Sequence, residues 1–252
     1  MVGIVLAVLG AGMTPGQAPP TEPIGSYIYQ PSYELDFLLR GPPVPYQPQA
    51  GDIVFSTDRS RFWKLMHNLA GSGHPTHSMV VFQRRDGSMA ILEAGPHDTL
   101  RIRTLDAIPH LKSYEDEGRV WVRRRTVPLT PEQSERLTEF AELTDLKLFA
   151  FGRLGVQLTP FRPRGPVKTY FMGKPHGPDR GSYYCAELCI EALVYACLLD
   201  PETARPSATY PRDFFMDRSL NHYLNAHLHL YPDWELPQRW KSEPLPDGTV
   251  GK

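Results

Sequence analysis

The sequence predicts an α+β fold in which a small antiparallel sheet packs on one strongly apolar helix that carries a cysteine in its first turn. Three features lead there. Gly51-Asp52-Ile53-Val54-Phe55, Thr76 to Gln83 and Ser88 to Ala94 are short runs rich in β-branched and apolar residues, and the last two flank an Asp86-Gly87 turn, so they read as strands. Thr130-Pro131-Glu132-Gln133 has the form of a capping box with proline at the first helical position. Gly181-Ser182-Tyr183-Tyr184 is a turn that leads into Cys185-Ala186-Glu187-Leu188 and a long apolar run.

In chain order, residues 1–18 read as a secretory signal. Met1 to Met13 is an apolar run too short to span a bilayer, followed by Gly16-Gln17-Ala18 as a small-x-small cleavage candidate. The protein is therefore expected to be exported, to the periplasm or the extracellular space, with no transmembrane span. Residues 19–48 are rich in proline and read as a linker or a wrapping arm, because proline cannot donate to a helix or sheet ladder. Residues 49–252 then form one catalytic domain. Its first strand is Asp52 to Phe55, and Arg61 to Gly71 reads as a helix, apolar at Phe62, Leu65, Met66 and Leu69 and stopped by glycine. After the hairpin, Val120 to Val122 extends the sheet. The helix opened at Thr130 turns Leu137, Phe140, Ala141 and Leu143 inward. Residues 146–184 are a connection rich in Gly, Pro and Arg, of a length uncommon in compact domains unless functional, and Phe151 to Gly173 reads as the rim or lid of a substrate groove. Pro211 to Phe215 opens another short helical segment, and the tail with Trp234 and Trp240 packs across the domain.

The chain has 252 residues, with 22% charged and 41% hydrophobic residues and a formal net charge of -1. That balance suits a globular core and offers no positive surface for nucleic acid as the main partner. The three cysteines, Cys185, Cys189 and Cys197, fall on one predicted helix, where side chains four or eight apart run parallel and cannot form a disulfide. Cys189 and Cys197 read as small buried hydrophobes. Cys185 differs by position: first-turn N–H groups have no intrahelical acceptor, and together with the helix dipole they favour a thiolate, the nucleophilic form. His74-x-x-His77, Cys185 with Cys189, and the run His222, His227 and His229 lack the two paired-ligand spacings of a zinc site, so neither metal nor cofactor is expected.

Gly51-Asp52-Ile53-Val54-Phe55, Thr76-His77-Ser78-Met79-Val80-Val81, Ile91-Leu92-Glu93-Ala94 and Tyr184-Cys185-Ala186-Glu187-Leu188 resemble, in order and spacing, the circularly permuted papain-like amidases of the YaeF/YiiX type. These are relatives of the NlpC-type cell-wall peptidases in which the histidine strand precedes the cysteine helix. The resemblance covers roughly residues 48 to 200. It implies a permuted papain-like fold with Cys185 as nucleophile, His77 as base and Glu93 as the residue that orients the imidazole. Many relatives carry serine directly after the cysteine, where this chain has Ala186.

Whether Glu93 can serve depends on register. A two-residue hairpin loop at Asp86-Gly87 would set Val80 opposite Glu93 and put the glutamate on the other side of the sheet from His77. A three-residue loop, Arg85-Asp86-Gly87 with Gly87 left-handed, sets Met79 opposite Glu93 and leaves His77 one diagonal step away on the same face. Arg-Asp-Gly suits the second turn, with Asp98 as the alternative orienting residue. The expected activity is thiol hydrolysis of an amide, or an ester, through an acyl-enzyme. The resemblance implies small peptide or acyl-amide substrates, such as peptidoglycan peptides or N-acyl amines. Two readings compete: an acyltransferase or thioesterase of the lecithin retinol acyltransferase type, and a catalytically idle module that binds an envelope ligand. Oligomeric state is left open.

Overall fold

The computed structural model describes residues 24–31, 39, 41–57, 73–95, 99–157 and 166–246. The expected signal, the helix over Arg61 to Gly71, and Asp98 lie outside them. The architecture is α+β, as expected, but the sheet is not small. Eight strands run in the order β2-β1-β10-β7-β3-β4-β5-β6: β1 (Tyr27–Pro31), β2 (Val44–Pro45), β3 (Ile53–Ser56), β4 (His77–Gln83), β5 (Met89–Ala94), β6 (Ile102–Asp106), β7 (Val120–Arg123) and β10 (Gln238–Lys241). Every pairing in this sheet is antiparallel.

Four of these strands, β1, β2, β6 and β10, are not among those the sequence marks. The proline-rich stretch, expected as a linker or arm, supplies β1 and β2 at one end of the sheet. Its prolines are compatible with this because Pro31 ends β1 and Pro45 sits on the outermost strand. The tail returns as β10 between β1 and β7, burying Trp240. The β4–β5 hairpin has the three-residue loop: the Arg84 N–H donates to the Ser88 carbonyl at 2.8 Å, and Gly87 adopts φ +87°, a conformation that favours glycine. Val80 therefore faces Leu92, and the ladder sets Met79 against Glu93. Asp52, at the start of β3, is a structural residue: its carboxylate accepts from the Tyr46 hydroxyl (2.7 Å) and the Arg125 N–H (2.8 Å).

Two apolar layers cover the sheet. On one face Ile53, Phe55, Val80, Phe82, Ala90 and Leu92 pack against helices α2 (Pro131–Thr144) and α5 (Cys185–Tyr195). On the other, Val54, Met79, Val81 and Ile91 pack against α1 (Ala107–Glu117) through Ala107, Leu111 and Tyr114. The capping box at Thr130 forms, with the Gln133 N–H donating to the Thr130 hydroxyl at 3.2 Å. Within the expected rim, residues 146–184, lie β8 (Leu148–Phe149), α3 (Phe151–Gln157), α4 (Pro166–Met172) and β9 (Ser182–Tyr183), with β8 and β9 paired in parallel. Beyond α5 come α6 (Pro211–Phe215) and α7 (His222–His227).

One cysteine departs from expectation. Cys197 is exposed and lies past the end of α5, at φ +56°. The Leu198 N–H bonds the Leu193 carbonyl (2.8 Å) and the Cys197 N–H bonds the Val194 carbonyl (2.9 Å), which is a Schellman closure with Cys197 in the position glycine usually fills. The helix stops there, so the apolar run that continues through Leu198 and Leu199 no longer turns Cys197 inward. Cys197→Gly is therefore expected to be neutral or to stabilise by up to about 1 kcal/mol. Urea unfolding of the variant checks this, and a loss above about 0.5 kcal/mol would contradict it.

Candidate active site

His77 is the first residue of β4 and pairs with Ser56, the last of β3. By strand alternation His77 and Glu93 share the face of Met79, Val81 and Ile91, covered by α1, whereas Ser78, Val80 and Leu92 face α5. His77 still meets Cys185, because the contact forms at the strand end, where α5 begins. The His77 Nε2 lies 2.5 Å from Glu93 Oε1, and the Cys185 side chain is close enough to the same ring to help raise its pKa. With Nε2 given to Glu93, Nδ1 is the atom left for the thiol. Cys185, His77 and Glu93 are thus brought together in one chain of contacts.

Glu93 is fully buried, and residues from α1 hold it in place. Its Oε2 bonds the His110 Nε2, and its Oε1 accepts from the Tyr114 hydroxyl. The His77 and Tyr114 rings stack at 5.8 Å, and the His110 and Tyr114 rings meet edge to face at 5.1 Å. Neither His110 nor Tyr114 emerged from the sequence as part of a site. The signal was a helical spacing: Ala107, Leu111 and Tyr114 at i, i+4 and i+7 mark a buried stripe, and His110 lies four residues before Tyr114 beside it.

Charge coupling dominates the pair. Burial alone would favour neutral His77, but the Glu93 charge, together with Cys185 and Glu93 as acceptors for its ring N–H groups, raises its pKa to about 10. Burial likewise opposes ionised Glu93, yet the His77 charge and bonds from His110 and His77 hold it at about 2. The signs give a window. His77, raised above its unfolded value of about 6.5, stabilises fully below that pH and loses its contribution as pH climbs toward 10. Glu93, depressed below about 4.3, stabilises fully above that pH and loses its contribution as pH falls toward 2. The stability gap between wild type and Glu93→Gln should therefore be widest between roughly pH 4.3 and 6.5 and narrow on both sides. Denaturant titrations at pH 3, 5.5 and 9 read this directly; a gap independent of pH would refute the coupling.

The first turn of α5 is anchored from below. Glu187 is fully buried, paired with Arg153 of α3 at 2.9 Å and with Arg180, and accepts from the Ser207 hydroxyl at 2.6 Å. One turn on, Glu191 accepts from the backbone N–H groups of His176 and Gly177, each at 2.9 Å, and burial pushes its carboxyl up to about 7. These carboxylates fasten the segment before the cysteine onto the helix. Cys189 is fully buried, and burial pushes its thiol well up, so it behaves as a core residue. Ala186 is also fully buried in the core. A shallow cleft between the β4–β5 hairpin and the start of α2 lies at the far end of β4 from His77.

Among the described residues, no group of three or more His, Cys, Asp or Glu side chains is arranged to hold a metal ion, and no helix is long and apolar enough to cross a membrane. No protein-family model matches the chain, and no curated protein matches it. Among solved structures, that of the metalloprotein YiiX from Escherichia coli O157:H7 aligns with 60% of this chain and 67% of its own, at 22% identity and a TM-score of 0.40.

Proposed function

We propose that this protein is a permuted papain-like thiol hydrolase that cleaves an amide or ester bond through an acyl-enzyme on Cys185. The observation that carries the reading is the unbroken chain of contacts from α1 through Glu93 and His77 to Cys185. A buried carboxylate held by three partners on one side of an imidazole, with a first-turn cysteine on the other, is the arrangement a thiol nucleophile needs. The Cys185 sulfur attacks the carbonyl carbon, and first-turn N–H groups of α5 face the oxyanion that develops. His77 gives its proton to the leaving amine or alkoxide, then takes one from the water that cleaves the thioester. Glu93 fixes which ring nitrogen faces the sulfur and balances the imidazolium charge.

The resemblance of the four motifs supports small peptides or N-acyl amines of the cell envelope as substrates, reached after export. Acyl transfer is the second reading, favoured by one observation. The rim helices expose apolar side chains, with Phe151 at 46%, Val167 at 69% and Phe171 at 71%, which suits a substrate with an acyl chain. The test is turnover of peptidoglycan fragments, acyl amides and acyl esters, with intact-mass detection of an acyl adduct that Cys185→Ala cannot form. Exposed Cys197 is replaced by glycine beforehand so that it contributes no adduct. Absence of both turnover and adduct across these classes would leave the binding-module reading in its place.

A further inference from the structure

Of the three arginines fully buried among the described residues, Arg123, Arg205 and Arg239, the first two are treated in opposite ways. Arg123 is neutralised: its Nη1 and Nη2 donate to the two carboxylate oxygens of Asp217 at 2.9 and 2.8 Å, and its Nε donates to the Glu235 carbonyl. Arg205, in the loop after α5, is 1% exposed and has no such partner. Its Nη1 donates to the carbonyls of Glu202 (2.9 Å) and Ala204 (2.7 Å), while Nε and Nη2 are buried with no hydrogen-bond partner. Among the described residues, no carboxylate pairs with it.

The two unused donors are not a random pair. Nε–H and the neighbouring Nη2–H form the side edge of the guanidinium, two parallel donors spaced to hold both oxygens of a carboxylate or two oxygens of a phosphate. The setting is built around this group. Tyr170 of α4 and Tyr223 of α7 lie 5.3 and 4.8 Å from the guanidinium carbon. The Asn221 side-chain amide donates to the Thr169 hydroxyl at 2.9 Å, tying the two helices together around the arginine. Gly173 lets the chain close on the arginine stem, since a Cβ there would come within 3.1 Å of Arg205 Cβ and Cδ. A buried guanidinium with half its fork unused is costly unless an anion completes it.

We infer that Arg205 is an oxyanion-binding site that takes a carboxylate or phosphate group of a ligand, entering beneath the half-exposed Tyr170 ring. The site adjoins the cysteine helix: the next residue, Pro206, accepts from the Tyr184 hydroxyl at 3.2 Å, and Ser207 donates to Glu187. It stands independently of whether Cys185 is a nucleophile.

The experiment uses the full chain carrying Cys185→Ala, with thermal unfolding followed while sodium acetate or sodium phosphate replaces sodium chloride at constant ionic strength. At about ten times the dissociation constant, a rise in Tm of about 3 °C over chloride is expected. The acetate and phosphate arms tell which oxyanion fits. Arg205→Lys keeps the charge and a donor for the two carbonyls but loses the fork, so it should fold and bind at least tenfold more weakly. Tyr170→Ala, on the exposed side of α4, provides a second check and should change the apparent affinity without unfolding the protein. No stabilisation over chloride by either anion, or an undiminished response in Arg205→Lys, would overturn the inference.

Discussion

Replacing His77 by alanine should lower kcat/KM by about 10²- to 10⁴-fold on whichever amide or ester the wild type turns over, and Cys185→Ala should leave no acyl-enzyme at all. Glu93→Gln should fall in the same range as His77→Ala, because an amide at that position can present the wrong group to Nε2 and no longer balances the imidazolium. The effects should not add. Once Cys185 is gone, neither His77→Ala nor Glu93→Gln should cost much more, since the three act as one unit. His110→Gln acts one step further out, on Glu93 Oε2, and should lower kcat/KM less than Glu93→Gln while altering its pH dependence. Steady-state kinetics of the singles and doubles decides the matter. A His77→Ala variant with activity within threefold of wild type would remove the thiol hydrolase reading.

Asp217→Ala should destabilise the protein by about 3–5 kcal/mol, the largest single-residue stability effect expected in this fold. Arg123 on β7 is fully buried, and Asp217 supplies both oxygens of its fork. The same carboxylate accepts the Leu230 N–H at 2.9 Å and the Tyr231 N–H at 3.2 Å, so it also positions the chain that leads to Trp234 and β10. Truncation would strand a buried guanidinium and two backbone donors together. Asp217→Asn, which keeps an acceptor but loses the charge, should fall between wild type and alanine. Urea unfolding of the three proteins checks the order, and a loss below about 1 kcal/mol for Asp217→Ala would show that the pair adds little.

Much of the sheet was legible because its signals are local. Runs of β-branched and apolar residues marked β3, β4 and β5, and the Arg-Asp-Gly turn set the register that places His77 and Glu93 on one face. The capping box marked α2. Where the signal is not local, it failed. β1, β2 and β10 are strands because each finds a partner more than 70 residues away or a neighbour that has done so, and proline-rich or short segments carry no pattern that says so. Apolar residues continue past Cys197, so the sequence pattern extends the helix through it, although the backbone closes one residue earlier.

For the site, the sequence by itself determined the kinds of atoms available and two of their placements. It set a cysteine at a helix start and a histidine and a glutamate at positions of equal parity on paired strands, because helix and strand periodicities are properties of the local chain. Only the tertiary structure decided that α1 would bring His110 and Tyr114 onto Glu93, that α5 would begin where β4 does, and that Arg123 would find a carboxylate while Arg205 would not. Each of these depends on which segments distant in sequence share a buried space. Burial then gives these groups their character, since a charge removed from water takes its protonation state and its energy from the few neighbours it meets.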